Sequence, residues 1–161
     1  MKRSKIIYSN YDMDTGESIV IIQNQYGTFC GMAKCHPDDE KYRSRLSGLR
    51  IAELRAYQAY YNYRSKDSDM KLLVDYIMSE IDDTVTDKQL RGNIEKYINE
   101  AEMWRERASA CKQFSIDIEA EKRKGIDEFN KKKEKAEVGA EARRKITEAL
   151  INAQKSMDKK E

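Results

Sequence analysis

The residues best equipped for chemistry crowd into positions 43–64. Arg43, Arg50, Tyr57 and Arg64 recur at seven-residue steps, with Tyr61 beside them and Arg45 and Arg55 nearby. A continuous helix would carry that row on one face. Guanidinium forks match phosphate oxygens, and tyrosine rings offer a platform for a nucleobase. Arg43, Arg50, Arg55, Tyr57, Tyr61 and Arg64 are therefore the candidate ligand-binding residues. The competing reading is a solvated helix face, with its arginines paired to Glu53 or to a partner's carboxylates. Gly48 bears on the choice, because a break there would detach Arg43 and Arg45 from the row.

Other constellations offer less. The single histidine, His36, adjoins Cys35, with Cys30 five positions before that. In a regular strand Cys30 and Cys35 point to opposite faces, and no second histidine or Cys-x-x-Cys completes a zinc set. No metal site is expected. A Cys–His catalytic pair would have to use the adjacent Cys35 and His36, whose side chains usually diverge, and the carboxylates Asp38, Asp39 and Glu40 suit a helix first turn. Neither a phosphate-binding glycine loop nor a dinucleotide fingerprint occurs. No catalytic residue and no cofactor is assigned, and the protein is not expected to be an enzyme.

Composition narrows the class. Of 161 residues, 39% are hydrophobic and 37% charged, against roughly 45–50% and about 25% in ordinary globular domains. Ten Tyr, three Phe and one Trp still argue against a wholly disordered chain. Lys and Arg number 31 against 29 Asp and Glu, a net charge of only +2, so no global polycation is present to coat nucleic acid. The cluster Lys131-Lys132-Lys133 and the later Arg143-Arg144-Lys145 are diluted by Asp127, Glu128, Glu134, Glu137 and Glu141. That mixture suits a solvated helix with internal ion pairs, and nucleic-acid binding stands only as a second alternative. Behind the basic Met1-Lys2-Arg3-Ser4-Lys5 the apolar run is only Ile6 and Ile7, short of a signal peptide's roughly 7–15 residues or the about 20 of a membrane span. Three widely spaced cysteines do not make a disulfide framework. The expectation is a soluble, cytoplasmic protein with reduced thiols and no membrane partner.

The elements that must position these residues follow from pattern. Stretches 5–9, 18–23 (with Ile19-Val20-Ile21-Ile22) and 27–35 read as strands, separated by 10–16 and 24–27, which are rich in turn formers. They predict a small antiparallel meander that needs a cover on at least one face. Helical signals begin at Pro37. Gly48 divides this segment into a short helix and a longer one over 49–63, with Leu49, Ala52, Ala56, Ala59 or Tyr60, and Tyr63 on one stripe. Ser65 or Asp67 caps a further helix whose apolar face is Met70, Leu73, Val74, Ile77 and Ile81, ending near Asp83. Thr86-Asp-Lys-Gln89 has the capping-box pattern, with Val85 and Leu90 placed as a hydrophobic staple.

From Leu90 an alternating three–four spacing runs through Ile94, Tyr97, Ala101, Trp104, Ala108, Cys111, Ser115 and Ile118. It continues more weakly through Lys122, Gly125, Phe129, Lys132, Ala136, Gly139, Arg143, Ile146, Leu150, Ala153 and Met157. This is the coiled-coil signature. The division expected is 1–85, meander plus helices, and 86–161, a long helical arm that frays or breaks after about 121. The fold class is α+β: a small N-terminal antiparallel β-meander, then helices and a long C-terminal coiled-coil-like helix. Unbroken, that arm would reach on the order of 100 Å. It cannot bury its stripe alone, so a homo-oligomer through the helices, or a fold-back at Gly125 or Gly139, is expected.

Gly31-Met-Ala-Lys-Cys-His-Pro-Asp-Asp39, followed by Gly48 and by Ala52-Glu-Leu-Arg-Ala56, resembles small accessory proteins of phages. The family it most resembles, across about the first third of the chain, is the Thoeris anti-defence sponge. The resemblance implies an α+β protomer that assembles into oligomers and sequesters a cyclic ADP-ribose-type immune signal without cleaving it. No ligand residue of that family is carried onto a position here. Together with the residues, it yields the leading expectation of a non-enzymatic phage counter-defence protein binding a small nucleotide, in the host cytoplasm if phage-encoded. The alternative is an oligomeric coiled-coil protein that binds or inhibits a host protein.

Overall fold

The computed structural model describes residues 4–37, 42–81 and 86–157. In β2 (Glu17–Asn24) every second side chain, Ser18, Val20 and Ile22, is buried. β1 (Lys5–Tyr11) and β3 (Gly27–Lys34) pair antiparallel on either side of it, in the order β1-β2-β3. The register sets Val20 beside Gly31, Ile22 beside Phe29 and Ser18 beside Ala33, so these six share the covered face. The opposite face carries Tyr8, Ile21 and Cys30 in one row and Asn10, Ile19 and Met32 in the next. A register shift between Ile6 and Tyr8 marks a bulge in β1.

Local chemistry sets both hairpins. Between β1 and β2 the Asp12 carboxylate accepts from the amides of Asp14 and Thr15 at 2.7 and 3.2 Å, and Gly16 takes φ +68°. Between β2 and β3 the Asn24 side chain accepts from the Tyr26 amide at 2.9 Å. The strands end within one or two residues of the stretches read from sequence.

α1 (Arg45–Ile81) is one helix of 37 residues, which corrects the three-part reading. Ser44 supplies its start: its hydroxyl accepts from the Ser47 amide at 3.3 Å and its carbonyl from the Gly48 amide at 2.9 Å. Pro37 does not open it, and Asp38, Asp39 and Glu40 lie outside the described residues. Gly48 continues the helix instead of breaking it. A Cβ there would strike the Ser18 hydroxyl, so its lack of a side chain lets α1 approach β2. Ser65 and Asp67 are helix interior, the first buried and the second paired with Lys71 at 2.8 Å.

α1 lies across the sheet where small residues permit close contact. Val20, Ile22, Ala33, Ile51, Ala52, Ala56 and Tyr60 form the core. Beyond it, Met70, Leu73, Val74 and Ile77 are about half exposed, so that apolar face is only partly covered.

α2 (Asp87–Met157) begins at the expected capping box. The Thr86 hydroxyl accepts from the Gln89 amide at 3.4 Å, and the Gln89 side-chain oxygen accepts from the Thr86 amide at 3.3 Å. Val85, the other half of the staple, lies outside the described residues. The three–four stripe faces inward as far as Ile118, with Ala101, Trp104, Ala108 and Ser115 buried. α1 is its partner, running antiparallel: Asp75 accepts from Asn93 at 2.9 Å, Asp69 from Arg105 at 2.8 Å, and Glu119 from Arg55 at 3.2 Å.

The chain divides into two compact units, Met1–Glu119 and Ala120–Glu161, a boundary inside α2 and not at its start. The helix does not break after 121. It passes through Gly125 and Gly139, where each glycine costs about 1 kcal/mol relative to Ala. Within the second unit, i,i+4 pairs Lys133–Glu137, Glu141–Lys145 and Arg144–Glu148 offset part of that cost.

Candidate functional site

Past Tyr57, the aromatic side chains of α1 bridge β3 and α2: Tyr60 and Tyr63 meet Phe29, and Tyr60 and Tyr61 meet Trp104. Tyr60 is the hub, with ring centroids at 5.3 Å from Phe29, 6.2 Å from Tyr26, 5.1 Å from Tyr61 and 6.1 Å from Trp104. Tyr57, Tyr61 and Trp104 form a ladder of nearly parallel rings: Tyr57 and Tyr61 are 6.2 Å apart and 28° inclined, Tyr61 and Trp104 5.7 Å and 16°. Arg107 places its guanidinium 4.8 Å from the Trp104 centroid. The helical spacing 57, 61 on α1 and 104, 107 on α2 puts each pair on one face.

Electrostatics follow burial. The phenols of Tyr57 and Tyr61 are raised above the usual tyrosine value chiefly by burial, then by Glu53 for Tyr57 and by Cys111 for Tyr61. The Cys111 thiol is raised by burial, against the opposing charge of Arg50. All three are neutral near pH 7, and the cations of this region are Arg50, Arg64 and Arg107.

The six candidate residues part company. Arg43 precedes α1 and donates to the carbonyls of Met13 and Asp14, both at 2.7 Å, clamping the β1–β2 turn. Arg55 donates to the Met32 carbonyl at 2.8 Å and to Glu119, joining β3 to α2. Arg50 pairs with Glu53 at 2.8 Å, the pairing expected of a solvated helix face. Tyr57 and Tyr61 stay together in the ladder. Arg64 is only 8% exposed, its guanidinium 3.9 Å from the Tyr26 centroid and 4.6 Å from that of Trp104.

Tyr26, Tyr60, Trp104 and Arg107 were not among the candidates. Trp104 had a signal, as the only Trp on the α2 stripe, but no periodicity links positions 26, 60 and 104. Among the described residues, no group of three or more His, Cys, Asp or Glu could hold a metal ion, and no helix is long and apolar enough to cross a membrane. His36 is exposed beside the half-buried Cys35. No family model matches this chain, and no curated protein or solved structure matches it either.

Proposed function

We propose that this protein acts by binding and not by catalysis, as an assembly protein whose α2 arm pairs with the arm of a second copy. The observation that supports this is the stripe beyond residue 119. Ile146 and Leu150 are 60% and 65% exposed there, on the same three–four spacing that α1 covers up to Ile118. Such spacing keeps one seam turned toward a partner helix. In a parallel, in-register pair Glu128 of one protomer faces Lys133 of its partner. No like charges meet across the positions flanking the seam between residues 121 and 154. Lys122, Lys132 and Arg143 within the seam meet their own copies in that register and lower its affinity.

Sedimentation equilibrium tests this on the full chain. The wild type should associate with rising concentration, and the double variant Ile146→Glu, Leu150→Glu should run as a monomer with its Trp104 emission unchanged. A wild type that stays monomeric at high micromolar concentration excludes self-association and leaves the arm to a host protein.

A second reading is sequestration of a cyclic ADP-ribose-type signal as phage counter-defence. The Tyr57–Tyr61–Trp104 ladder flanked by Arg50 and Arg107 supports it, since stacking on aromatic rings is worth about 1–3 kcal/mol per base. Titration calorimetry with cyclic ADP-ribose isomers is the test; absence of heat at millimolar ligand with folded protein excludes it.

A further inference from the structure

Arg64 is a buried cation with no counter-charge among the described residues. The two acids on the following turn are engaged elsewhere, Asp67 by Lys71 and Asp69 by Arg105, each at 2.8 Å. The ring faces of Tyr26 and Trp104 attract the flat side of the guanidinium. They do not satisfy the N–H groups along its edge. Of five such donors, one reaches the Tyr60 hydroxyl oxygen at a long 3.5 Å, and Nε is buried with no partner. The indole Nε1 of Trp104, also a donor only, is likewise buried without a partner. Tyr60 accepts from Arg64, which leaves its own O–H to donate.

The cage therefore holds three kinds of donor, one full positive charge and no anionic acceptor. Buried polar groups are hydrogen-bonded in the great majority of proteins, and buried charges are paired. Water answers this poorly, because it brings no charge and donates as readily as it accepts. We infer that the Arg64–Tyr60–Trp104 cage is a seat for a small oxyanion of the phosphate or sulfate type. Arg64 keeps 8% exposure, so the seat is not sealed from solvent. The inference does not depend on pairing of the arms. The same chemistry has two sources, free inorganic phosphate or the phosphate of a nucleotide stacked on the neighbouring ladder.

The single tryptophan makes the site directly readable, since all indole emission comes from Trp104. Inorganic phosphate is titrated into the full chain at constant ionic strength, sodium chloride making up the balance. The expected result is a saturable change in emission and a melting temperature raised by roughly 5–10 °C at about a hundredfold excess over Kd. Both responses should vanish in Arg64→Met. Trp104→Phe, which keeps a ring but removes the N–H, should weaken the phosphate-dependent rise in melting temperature, and it carries the test if Arg64→Met fails to fold. A parallel titration with adenosine monophosphate assigns the source. Half-saturation at least tenfold lower than for phosphate indicates a nucleotide, and equal values indicate the free anion. The proposal is overturned if phosphate does no more than chloride, or if Arg64→Met responds as the wild type does.

Discussion

Gly31→Ala is the sharpest test of how α1 is held against the sheet. The new Cβ would fall on the carbonyl oxygen of Ala52 and the amide nitrogen of Ala56, and 3.0 Å from the carbonyl carbon of Arg55. All three are backbone atoms inside a helix, so no side-chain rotation relieves the overlap. α1 must lift from β3 by on the order of 1 Å, which loosens its contacts with Val20, Ile22 and Ala33. Overpacking costs typically about 1–3 kcal/mol, and a rigid obstacle places this variant at about 3 kcal/mol. In a unit of 119 residues, roughly 4 °C per kcal/mol converts that to a fall of about 12 °C. Thermal unfolding followed by Trp104 fluorescence reports on this unit alone, whereas circular dichroism would mix in the distal part of α2. Gly92→Ala is the control: it lies in α2 with nothing within 4 Å of the added carbon, and should gain up to about 1 kcal/mol of helix propensity. If Gly31→Ala melts within about 2 °C of the wild type, the close helix–sheet contact does not set stability and the packing argument fails.

Two further perturbations read other parts of the first unit. Asp12 has its carboxyl held below the ordinary value of 3.8, first by the Thr15 amide and then by the Asp14 amide. A depressed folded-state pKa contributes stability above the unfolded value and loses it as pH falls through the folded one. Asp12→Ala should accordingly be less stable than the wild type at pH 7, with the gap closing below about pH 4; a gap independent of pH would contradict the assignment. Alkylation followed by peptide mass spectrometry at pH 7 should label the exposed Cys30 well before Cys111, whose thiol is half-buried and raised by burial. Equal rates would place Cys111 in solvent and undo the α1–α2 packing around it.

The sequence by itself settled whatever rests on near neighbours. The Asn10–Gly16 and Asn24–Gly27 stretches marked the turns and Thr86 with Gln89 marked the start of α2, whereas the continuous run Ile19-Val20-Ile21-Ile22 located β2 without saying which face is covered. The three–four stripe named the inward residues of α2 as far as Ile118, because helical spacing depends only on the chain's own geometry. Tertiary structure decided the rest. Gly48 looked like a break, yet it lies where α1 meets Ser18, and a partner's proximity is not written in local propensity. Arg43, Arg50 and Arg64 share a seven-residue spacing with Arg55 nearby, and these four were candidates for one ligand site, but three are engaged by Met13 and Asp14, by Glu53, and by Met32 with Glu119. The fourth lies in a cage assembled from residues 26, 60 and 104, brought together by a hairpin turn, a helix and its antiparallel return. Spacing along a chain reports which side chains share a face, whereas only folding decides what that face meets.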